Sequence, residues 1–306
     1  KKVREIIELD LDIIHCHSEF TMGRLGRKAA RKMQLPIVHT YHTMLEDYVH
    51  FISKLLRGPL RFASKKYSKS FANSSDYVIF PTIKVKRTFD RYGFTKKGYI
   101  IPTGIYLEQF RKADSDPHKL EELKQSLGFA KNDFVLLYLG RLSREKAIKN
   151  LIHQFAKIKD STVKLLLVGD GPDHKEFEAQ IEKNNVTDRV VFAGMIAPEL
   201  VHNYYQIADL FCNFSVTETQ GLTYIEALAS GTPVLAKYDD NLDNVIENGY
   251  NGYTFIEDDD FLQLFEKIYK DPQLLKQLTS NADLAIEKFS AQTFAKNIEA
   301  IYKLTL

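Results

Sequence analysis

The sequence has little cysteine and no long apolar run, and each absence excludes a class of protein. The two cysteines, Cys16 and Cys212, lie in apolar stretches without C-x-x-C spacing. A disulfide framework is therefore not expected, and we expect the protein to be located in a reducing cytoplasm. The longest apolar run, Phe134–Leu139, is far shorter than the roughly 20 residues of a membrane span. No signal-peptide or lipidation pattern is recognisable, so we expect neither a transmembrane nor a secreted protein.

The composition is that of an ordinary globular protein. The chain has 306 residues, of which 44% are apolar and 27% charged. At roughly 100–200 residues per domain, this length indicates two domains. The chain begins at Lys1 without methionine, and Val3, Ile6 and Ile7 have the spacing of the end of an amphipathic helix. We therefore expect further residues upstream.

The two halves of the chain differ in charge. Residues 1–105 contain 20 Lys and Arg against 9 Asp and Glu, a net charge of +11, whereas residues 106–306 contain 22 against 31, a net charge of −9. This asymmetry predicts that the first half faces a polyanion or an anionic membrane. The alternative is an unequally charged, solvated surface.

Short apolar segments alternate with helical patterns along both halves, which predicts parallel α/β sheets. The polar stretch Arg111–Pro117 is typical of a linker. We expect three parts: 1–105, a partial Rossmann-like domain; 106–288, a second Rossmann-like domain; and 289–306, a C-terminal helix packing back toward the first domain. Strands are predicted at 12–16, 37–41, 77–80, 99–101, 134–139, 163–168, 189–192, 210–214 and 233–236. Helices are predicted at 21–33, 44–72 with an interruption at Gly58 and Pro59, 83–92, 147–158, 173–184, 198–206, 221–230, 241–246, 261–288 and 292–305.

Polar motifs follow the predicted strands of the second half. Arg141 and Lys146, five residues apart after Phe134–Leu139, could clamp a diphosphate, because Arg offers a bidentate fork and Lys a point charge. The alternative is a solvated loop. The next strand is followed by Gly169, Asp170 and Gly171, a tight turn that lets a ligand approach the backbone.

The segment Ser215–Gly231 runs from a polar loop into a helix that starts near Gly221. The amides of Gly221, Leu222 and Thr223 would point out of the helix N-terminus, where the helix dipole favours a phosphate. Glu218 precedes this helix, and Glu226 lies inside it among apolar residues, where a carboxylate needs donors such as ribose hydroxyls. The alternative is that Glu218 caps the helix and Glu226 pairs with an arginine.

These motifs resemble the family 4 retaining glycosyltransferases, which have the GT-B fold. Glu218 and Glu226 match the E-x7-E motif of that family, and the Arg141–Lys146 and Gly169–Pro172 segments precede it in the expected order. Ile101–Ile105 is similar to the junction between the two domains. The resemblance covers the whole chain and implies two Rossmann-like domains facing a cleft, the first one N-terminally incomplete, because the family's opening strand and Gly-rich loop have no counterpart here.

The resemblance also implies roles for individual residues. Arg141 and Lys146 would hold the diphosphate of a nucleotide-sugar donor, Glu218 the sugar hydroxyls and Glu226 the ribose, while Met195 would help to frame the base. Ala147 departs from the glycine that is common in the family, and we expect little effect. No metal or other cofactor is implied. The donor-binding set is Arg141, Lys146, Gly169, Asp170, Gly171, Met195, Glu218, Gly221, Leu222, Thr223 and Glu226, and the catalytic set is His42 and Glu218.

Two features of the first half concern the acceptor. His42 follows a predicted strand, and the family often has a histidine here close to the donor sugar; the alternative for His42, and more so for His39, is a structural role. His15 and His17 have the spacing of a metal site without an evident third ligand, which favours a structural role. From Tyr48 to Ser75 the chain has no acidic residue, and the basic residues among apolar ones resemble an amphipathic helix on an anionic membrane. The alternative is a core-packed helix with a solvated basic face. The predicted membrane-facing residues are Lys54, Arg57, Arg61, Lys65, Lys66 and Lys69.

The segments 17–20 and 39–44 most resemble one branch of the family, the bacterial glucosyltransferases that make glucosyl-diacylglycerol. The resemblance therefore implies a UDP-glucose-dependent hexosyltransferase acting on diacylglycerol, cytoplasmic and peripheral on the inner face of the cell membrane. Open alternatives are addition of a second hexose to a glycolipid, a soluble acceptor, and a nucleotide-sugar-binding subunit without activity. A nucleic-acid-binding protein is disfavoured, because the basic half lacks an aromatic-basic binding motif. The sequence does not distinguish glucose from galactose as the transferred sugar, and it does not specify the oligomeric state.

Overall fold

The computed structural model describes residues 2–45, 57–111 and 116–305. The chain forms two compact units. The first consists of the residues up to Gly104 together with those from Ala291 onward, and the second is Ile105–Ser290.

The first unit is a parallel four-stranded sheet with helices. Its strands lie in sequence order, β1-β2-β3-β4, and each is paired in parallel with the next. Val38 and Ile79 of the central strands pack with Ile298 and Ile301 of the C-terminal helix, so that helix completes the core of this unit. The elements are α1 (Lys2–Ile7), β1 (Ile14–Cys16), α2 (Thr21–Met33), β2 (Ile37–Thr40), α3 (Arg57–Ala72), β3 (Tyr77–Phe80), α4 (Ile83–Tyr92), β4 (Lys97–Ile100) and α12 (Ala291–Thr305).

The second unit is a six-stranded parallel sheet in the order β10-β9-β8-β5-β6-β7. Read from the other edge, this is the strand order of a doubly wound Rossmann sheet. Its elements are α5 (Pro117–Ser126), β5 (Phe134–Leu139), α6 (Ile148–Phe155), β6 (Val163–Val168), α7 (His174–Lys183), β7 (Val190–Gly194), α8 (Val201–Gln206), β8 (Leu210–Asn213), α9 (Leu222–Ala229), β9 (Val234–Lys237), β10 (Gly252–Phe255), α10 (Asp260–Tyr269) and α11 (Pro272–Ala282).

Each face of the second sheet packs against its own apolar cluster. Successive side chains of a strand point to opposite faces and therefore join different clusters. In β5, Leu136 and Tyr138 join one apolar cluster, with Phe177 and Phe261 from the helices on that side. Val135 and Leu137 join the other, which includes side chains of α8 and α9. A strand buried on both faces has to be apolar throughout, which explains the uninterrupted apolar run of β5.

Most elements lie where the sequence predicts them, and the differences have local causes. The strand β10 was not predicted, because its Gly252 is small and its Tyr253 and Thr254 are only half-buried. The predicted helix over 261–288 is instead two helices and two short 3₁₀ turns, since Asp271 accepts from the amides of Gln273 and Leu274 and so begins α11 as a new helix. Residues 241–246 contain a 3₁₀ turn rather than an α-helix.

The structure describes only part of two predicted segments, the basic helix and the linker. Gly58 and Pro59 lie in the first turn of α3, where proline is tolerated. The rest of the predicted basic helix, with Lys54, and positions 112–115 of the predicted linker lie outside the described residues. None of the helices within the described residues has the length and apolar character needed to cross a membrane.

Candidate functional site

The strand order of the second unit places a crevice between β5 and β8. From β5 the chain proceeds to β6 and β7 on one side, and then returns to β8 on the other side of β5. The connections therefore leave the carboxyl ends of β5 and β8 in opposite directions. In open parallel sheets, ligands bind outside the carboxyl ends of the strands at this reversal.

An ion pair joins the two loops at the reversal. Lys146, after β5, donates from Nζ to Oε1 of Glu218, after β8, over 2.6 Å. Each side chain is 18% exposed, so the pair is largely removed from water. The hydroxyl of Thr217 also donates to the carbonyl of Glu145 over 3.2 Å, which fixes one loop against the other. Two residues separated by 72 positions, both predicted to bind the donor, thus meet in the crevice.

Lys146 is positioned by a short turn. Residues Arg144–Lys146 form a 3₁₀ turn that ends at Ala147, whose φ of 53° and ψ of 31° lie in the left-handed region. Glycine adopts this conformation without penalty, and alanine does so at a cost. The left-handed residue turns the chain from the loop into α6, leaving Lys146 beside the crevice.

The loop after β8 ends at the N-terminus of α9. Gly221 precedes the helix with φ 76°, and a Cβ there would lie 2.5 Å from ring carbons of Tyr224. Only glycine fits both constraints. The buried Asn241 donates from Nδ2 to the Gln220 carbonyl and holds the loop in place. The first amides of a helix have no acceptor within it, so those of Leu222 and Thr223 are available to an anion.

Two buried tyrosines, Tyr138 and Tyr224, lie within the electrostatic influence of Glu218. Burial raises the pKa of Tyr138 and Tyr224, and the negative charge of Glu218 raises both further. Both phenols therefore stay protonated at neutral pH. Neither tyrosine was predicted as a site residue, because neither belongs to a motif with a spacing of its own.

Glu226 lies one turn into α9, where it accepts a hydrogen bond from the hydroxyl of Tyr205 over 2.8 Å. Burial raises the pKa of Glu226, and the bond from Tyr205 opposes that rise. The predicted alternative, pairing with an arginine, is therefore replaced by a neutral donor on α8. A largely buried carboxylate to which the described residues offer one neutral side-chain donor has capacity for further hydroxyl donors.

Three turns after β5, β6 and β7 are tied together by their backbones. The amide of Gly140 donates to the Val168 carbonyl, and the amide of Gly169 donates to the Gly194 carbonyl. A Cβ on Gly169 would lie 2.0 Å from the Gly140 carbonyl oxygen, and one on Gly171 would lie 2.2 Å from that of Leu142. The sequence predicts that these glycines admit a ligand to the backbone; in the structure, the side of each glycine on which a Cβ would lie is occupied by the backbone of the neighbouring turn.

The same turns enclose an open pocket of about 280 Å³. Arg141, Gly169, Asp170 and Met195 all contribute to its lining, so four predicted donor-binding residues share one cavity. Met195 is 81% exposed. Asp170 accepts from the amide of Gly171 and from Nδ1 of His174, and this bonding lowers its pKa.

The first unit places His42 beside a second histidine. Nδ1 of His17 and Nε2 of His42 are 3.0 Å apart, a hydrogen bond between two imidazoles. His17 in turn stacks on His15, with ring centroids 4.2 Å apart. His15 is held at both ring nitrogens, by the hydroxyl of Tyr302 at 2.6 Å and by that of Thr40 at 2.7 Å.

His39 has a different environment from these three histidines. It is fully buried, and its Nε2 is 3.1 Å from Oε1 of the buried Glu19. Within the described parts of the chain, no group of three or more histidine, cysteine or acidic side chains is arranged to hold a metal ion. The structural roles that the sequence favours for His15 and His39 stay predictions.

Basic residues of α3 line a groove with α4. The groove has a volume of about 510 Å³, and Phe62 at its edge is 71% exposed. Four of the six predicted membrane-facing residues lie here; for the side chains of Lys54 and Arg57 nothing is described. The lining consists of Arg61, Phe62, Lys65, Lys66, Lys69, Thr88, Arg91 and Tyr92.

Comparison with known families covers nearly the whole chain. The profile described as Glycosyl transferases group 1 matches residues 120–285, and that described as Glycosyltransferase Family 4 matches residues 1–109. The alpha-monoglucosyldiacylglycerol synthase of Acholeplasma laidlawii is 34% identical, covering 98% of this chain and 77% of the relative. The enzyme of the same name from Streptococcus pneumoniae is 36% identical, covering 96% and 67%.

Solved structures share the fold. Alr3699/HepE of Anabaena, in complex with UDP and glucose, superposes with a TM-score of 0.84 at 23% identity, covering 98% of this chain and 81% of that one. The sucrose-phosphate synthase of Thermosynechococcus elongatus gives a TM-score of 0.81 at 22% identity, covering 98% and 75%. At this identity the similarity concerns the fold.

Proposed function

The chain belongs to the group 1 and family 4 glycosyltransferases and has the GT-B fold, and from that premise we propose that it transfers glucose from UDP-glucose to diacylglycerol with retention of configuration. The observation that supports this choice is the similarity, over at least 96% of the chain, to two enzymes named alpha-monoglucosyldiacylglycerol synthase. The donor and acceptor are our proposal; the transferase activity is that of the family.

Departure of the nucleotide diphosphate is the step that the second unit assists. Negative charge develops on the leaving phosphate as the bond to the sugar breaks. Lys146, Arg141 and the first amides of α9 would place positive charge and N–H donors there, a form of electrostatic stabilisation that is commonly the largest contribution to catalysis. Arg141 and Lys146 lie between β5 and α6, and the amides lie at the N-terminus of α9, all at the strand-order reversal; Lys146 would exchange its bond to Glu218 for one to the phosphate.

Glu218 and Glu226 would bind hydroxyl groups of the donor. A carboxylate has several acceptor sites, and Lys146 occupies one oxygen of Glu218. The raised pKa and single neutral donor of Glu226 suit a pair of ribose hydroxyls. No side chain is assigned as a covalent nucleophile. We therefore propose that the acceptor hydroxyl attacks on the face from which UDP leaves and gives its proton to the leaving phosphate.

Within the first unit, His42 would contact the donor sugar, and the basic face of α3 would rest on an anionic membrane. The exposed Phe62 among the cations Arg61, Lys65, Lys66 and Lys69 is the arrangement expected of an interfacial helix. The protein would thus be peripheral on the inner face of the cell membrane, where diacylglycerol is available. No metal is required in this scheme.

The proposal is tested by mass spectrometry after incubation with UDP-glucose and anionic vesicles containing diacylglycerol. A lipid one hexose heavier supports donor, acceptor and reaction class together. Parallel vesicles with glucosyl-diacylglycerol in place of diacylglycerol separate addition of a second hexose from addition of the first. A reaction confined to those vesicles, or to a soluble acceptor, contradicts the acceptor that we propose.

Two variants assign the roles within the site. Glu226→Ala should weaken UDP binding, whereas His42→Ala should leave UDP binding unchanged and reduce transfer. Normal transfer by His42→Ala would contradict its catalytic role. A glycosyl adduct trapped on Glu218 or on another side chain would contradict same-face attack.

A further inference from the structure

His17 is the residue that contacts His42 through a ring nitrogen. Since the bond joins Nδ1 of His17 to Nε2 of His42, the nitrogen that His42 can offer to a ligand is Nδ1. Whether that nitrogen donates or accepts depends on its partner. If His17 donates the shared proton, His42 is protonated at Nδ1; if His42 donates it, Nδ1 is an acceptor.

The ring of His17 is held in place by its stacking on His15. Its ring lies over that of His15 at an angle of 29°, and His15 cannot rotate without losing the bonds to Tyr302 and Thr40. Tyr302 belongs to α12, and Thr40 ends β2. The stack therefore holds one face of the His17 ring against groups fixed by the sheet and by the C-terminal helix, while the rest of the residue reaches the surface.

Burial, assisted by neighbouring groups, keeps the pair neutral near pH 7. Burial lowers the pKa of His17, and His39 adds to this effect. Burial also lowers the pKa of His42, with His17 and His39 adding and Glu19 acting in the opposite direction. For His15, burial together with His17, His39 and His42 lowers the pKa to about 3. A neutral pair must contain one donor and one acceptor, which makes the bond directional.

We infer that His17 is a positioning residue for the transfer reaction: it orients the His42 ring and determines whether His42 Nδ1 donates to or accepts from the donor sugar. This inference rests on the proposed function, because it assumes that His42 contacts the sugar. It assigns a role to the second histidine of the His15-x-His17 pair, which the sequence favours only as a structural group. The geometry that supports it is the hydrogen bond on one side of His17 and the stacked, doubly anchored ring on the other.

Two substitutions separate the hydrogen bond from the stack. His17→Phe keeps a ring over His15 and removes the bond to His42. His17→Asn places an amide near the position of Nδ1, so it keeps a bond to His42 Nε2 and removes the ring. The control is His118→Asn, which changes an exposed histidine in α5 of the other unit.

The first readout is the ¹⁵N NMR spectrum of the imidazoles in the full chain, with the His42 signals assigned from His42→Ala. We expect a single tautomer for His42 in the wild type and in His17→Asn, and a mixture in His17→Phe. An unchanged His42 spectrum in His17→Phe would overturn the inference whatever the activity.

The second readout is transfer, measured as kcat and KM separately. We expect His17→Phe to lower kcat at least tenfold with KM for UDP-glucose within about twofold, and His17→Asn to retain most of the rate. The double variant His17→Phe/His42→Ala should be no slower than His42→Ala, because both substitutions disrupt the same His17–His42 pair. If the spectrum changes and transfer does not, the catalytic role of His42 in the proposed function fails, and with it the inference. Additive losses would overturn the inference while leaving that function standing.

Discussion

At the scale of the residue, the largely buried carboxylate of Glu226 illustrates how the proposed binding role would lower the stability of the fold. Glu226 lies in α9 between the apolar residues Ile225 and Ala227, and among the described residues it has one neutral side-chain donor, Tyr205. The sequence predicts its need for hydroxyl donors, because an unpaired carboxylate among apolar neighbours is costly. It could not predict Tyr205, which comes from another helix 21 residues away and has no spacing of its own.

We expect Glu226→Gln to stabilise the protein and to weaken UDP binding at least tenfold. The folded-state pKa of Glu226 is raised, so no difference is expected at low pH, where the carboxyl is protonated in both states. As the pH rises above the ordinary carboxyl pKa of the unfolded chain, unfolding increasingly releases the proton, so the advantage of the Gln variant in free energy of unfolding grows until the pH passes the raised pKa of folded Glu226 and is constant above it. Urea unfolding at pH 4 and pH 8 measures this. An advantage that shrinks as the pH rises would contradict it, and Glu247→Gln at an exposed position is the control.

The Lys146–Glu218 ion pair gives a second prediction at this scale. Lys146 is neutralised by Glu218 before any phosphate arrives, so Glu218→Gln should tighten binding of UDP several-fold while lowering transfer at least tenfold. Lys146→Met should weaken UDP binding at least tenfold. Lys149→Met is the matched control, because Lys149 pairs with Glu176 on α7. Calorimetry with UDP decides the matter: weaker binding by Glu218→Gln would contradict competition for Lys146.

The spacing of the motifs was enough to identify both members of this ion pair, although not their contact. Arg141, Lys146 and Glu218 follow strands of a parallel sheet, and the carboxyl ends of such strands meet at one edge. Contacts that depend on the orientation of individual side chains from distant elements cannot be predicted in this way. His17 for His42 is an example, since the bond depends on ring orientation, which a sequence pattern does not specify.

At the scale of the element, backbone conformation explains a departure from the family pattern. Ala147 ends a 3₁₀ turn and begins α6 in the left-handed region, the conformation that the glycine common in the family adopts freely. The sequence reasoning expects little effect of this alanine, because it does not show the dihedral angle. Similarly, strand β10 escaped prediction, whereas the strands buried on both faces were located within one or two residues.

We expect Ala147→Gly to raise the free energy of unfolding by up to about 1 kcal/mol. Relief of the left-handed strain exceeds the added entropy of the unfolded chain and the loss of one partly buried methyl group. Ala156→Gly is the control: this residue ends α6 with φ −62°, so glycine there should destabilise by about 0.5–1 kcal/mol. Urea unfolding curves of the two variants give the comparison. Equal destabilisation by both would contradict the strain at position 147.

At the scale of the whole molecule, the two units differ in their net charge and in the candidate functional features that they contain. The second unit has the strand-order reversal, the ion pair and the acidic half of the sequence, whereas the first has the basic groove and the histidine stack. The alternation of strands and helices predicted both sheets. The strand order was not predictable from the residues alone, because parallel strands buried on both faces are similar to one another.

If the first unit rests on an anionic membrane, transfer to diacylglycerol should depend on the charge of the vesicle. Each basic residue near such a surface contributes about 1 kcal/mol, so Arg61→Gln/Lys66→Gln should weaken vesicle binding roughly 10- to 30-fold. Both residues are exposed on α3, and Lys175→Gln/Lys183→Gln on α7 removes the same charge from the other unit as the control.

Vesicle co-sedimentation and transfer, measured together at increasing NaCl, decide between a membrane surface and a merely solvated one. Salt screens charges over about 10 Å at 0.1 M, so binding and transfer should fall in parallel as salt rises, and rise with the fraction of anionic lipid. UDP binding without vesicles should change less, because the largely buried Lys146–Glu218 pair is screened less than an exposed charge. Equal losses in the two double variants would mean that net charge, not the α3 surface, attracts the protein. Transfer on neutral vesicles at the full rate would show that the basic groove serves no membrane.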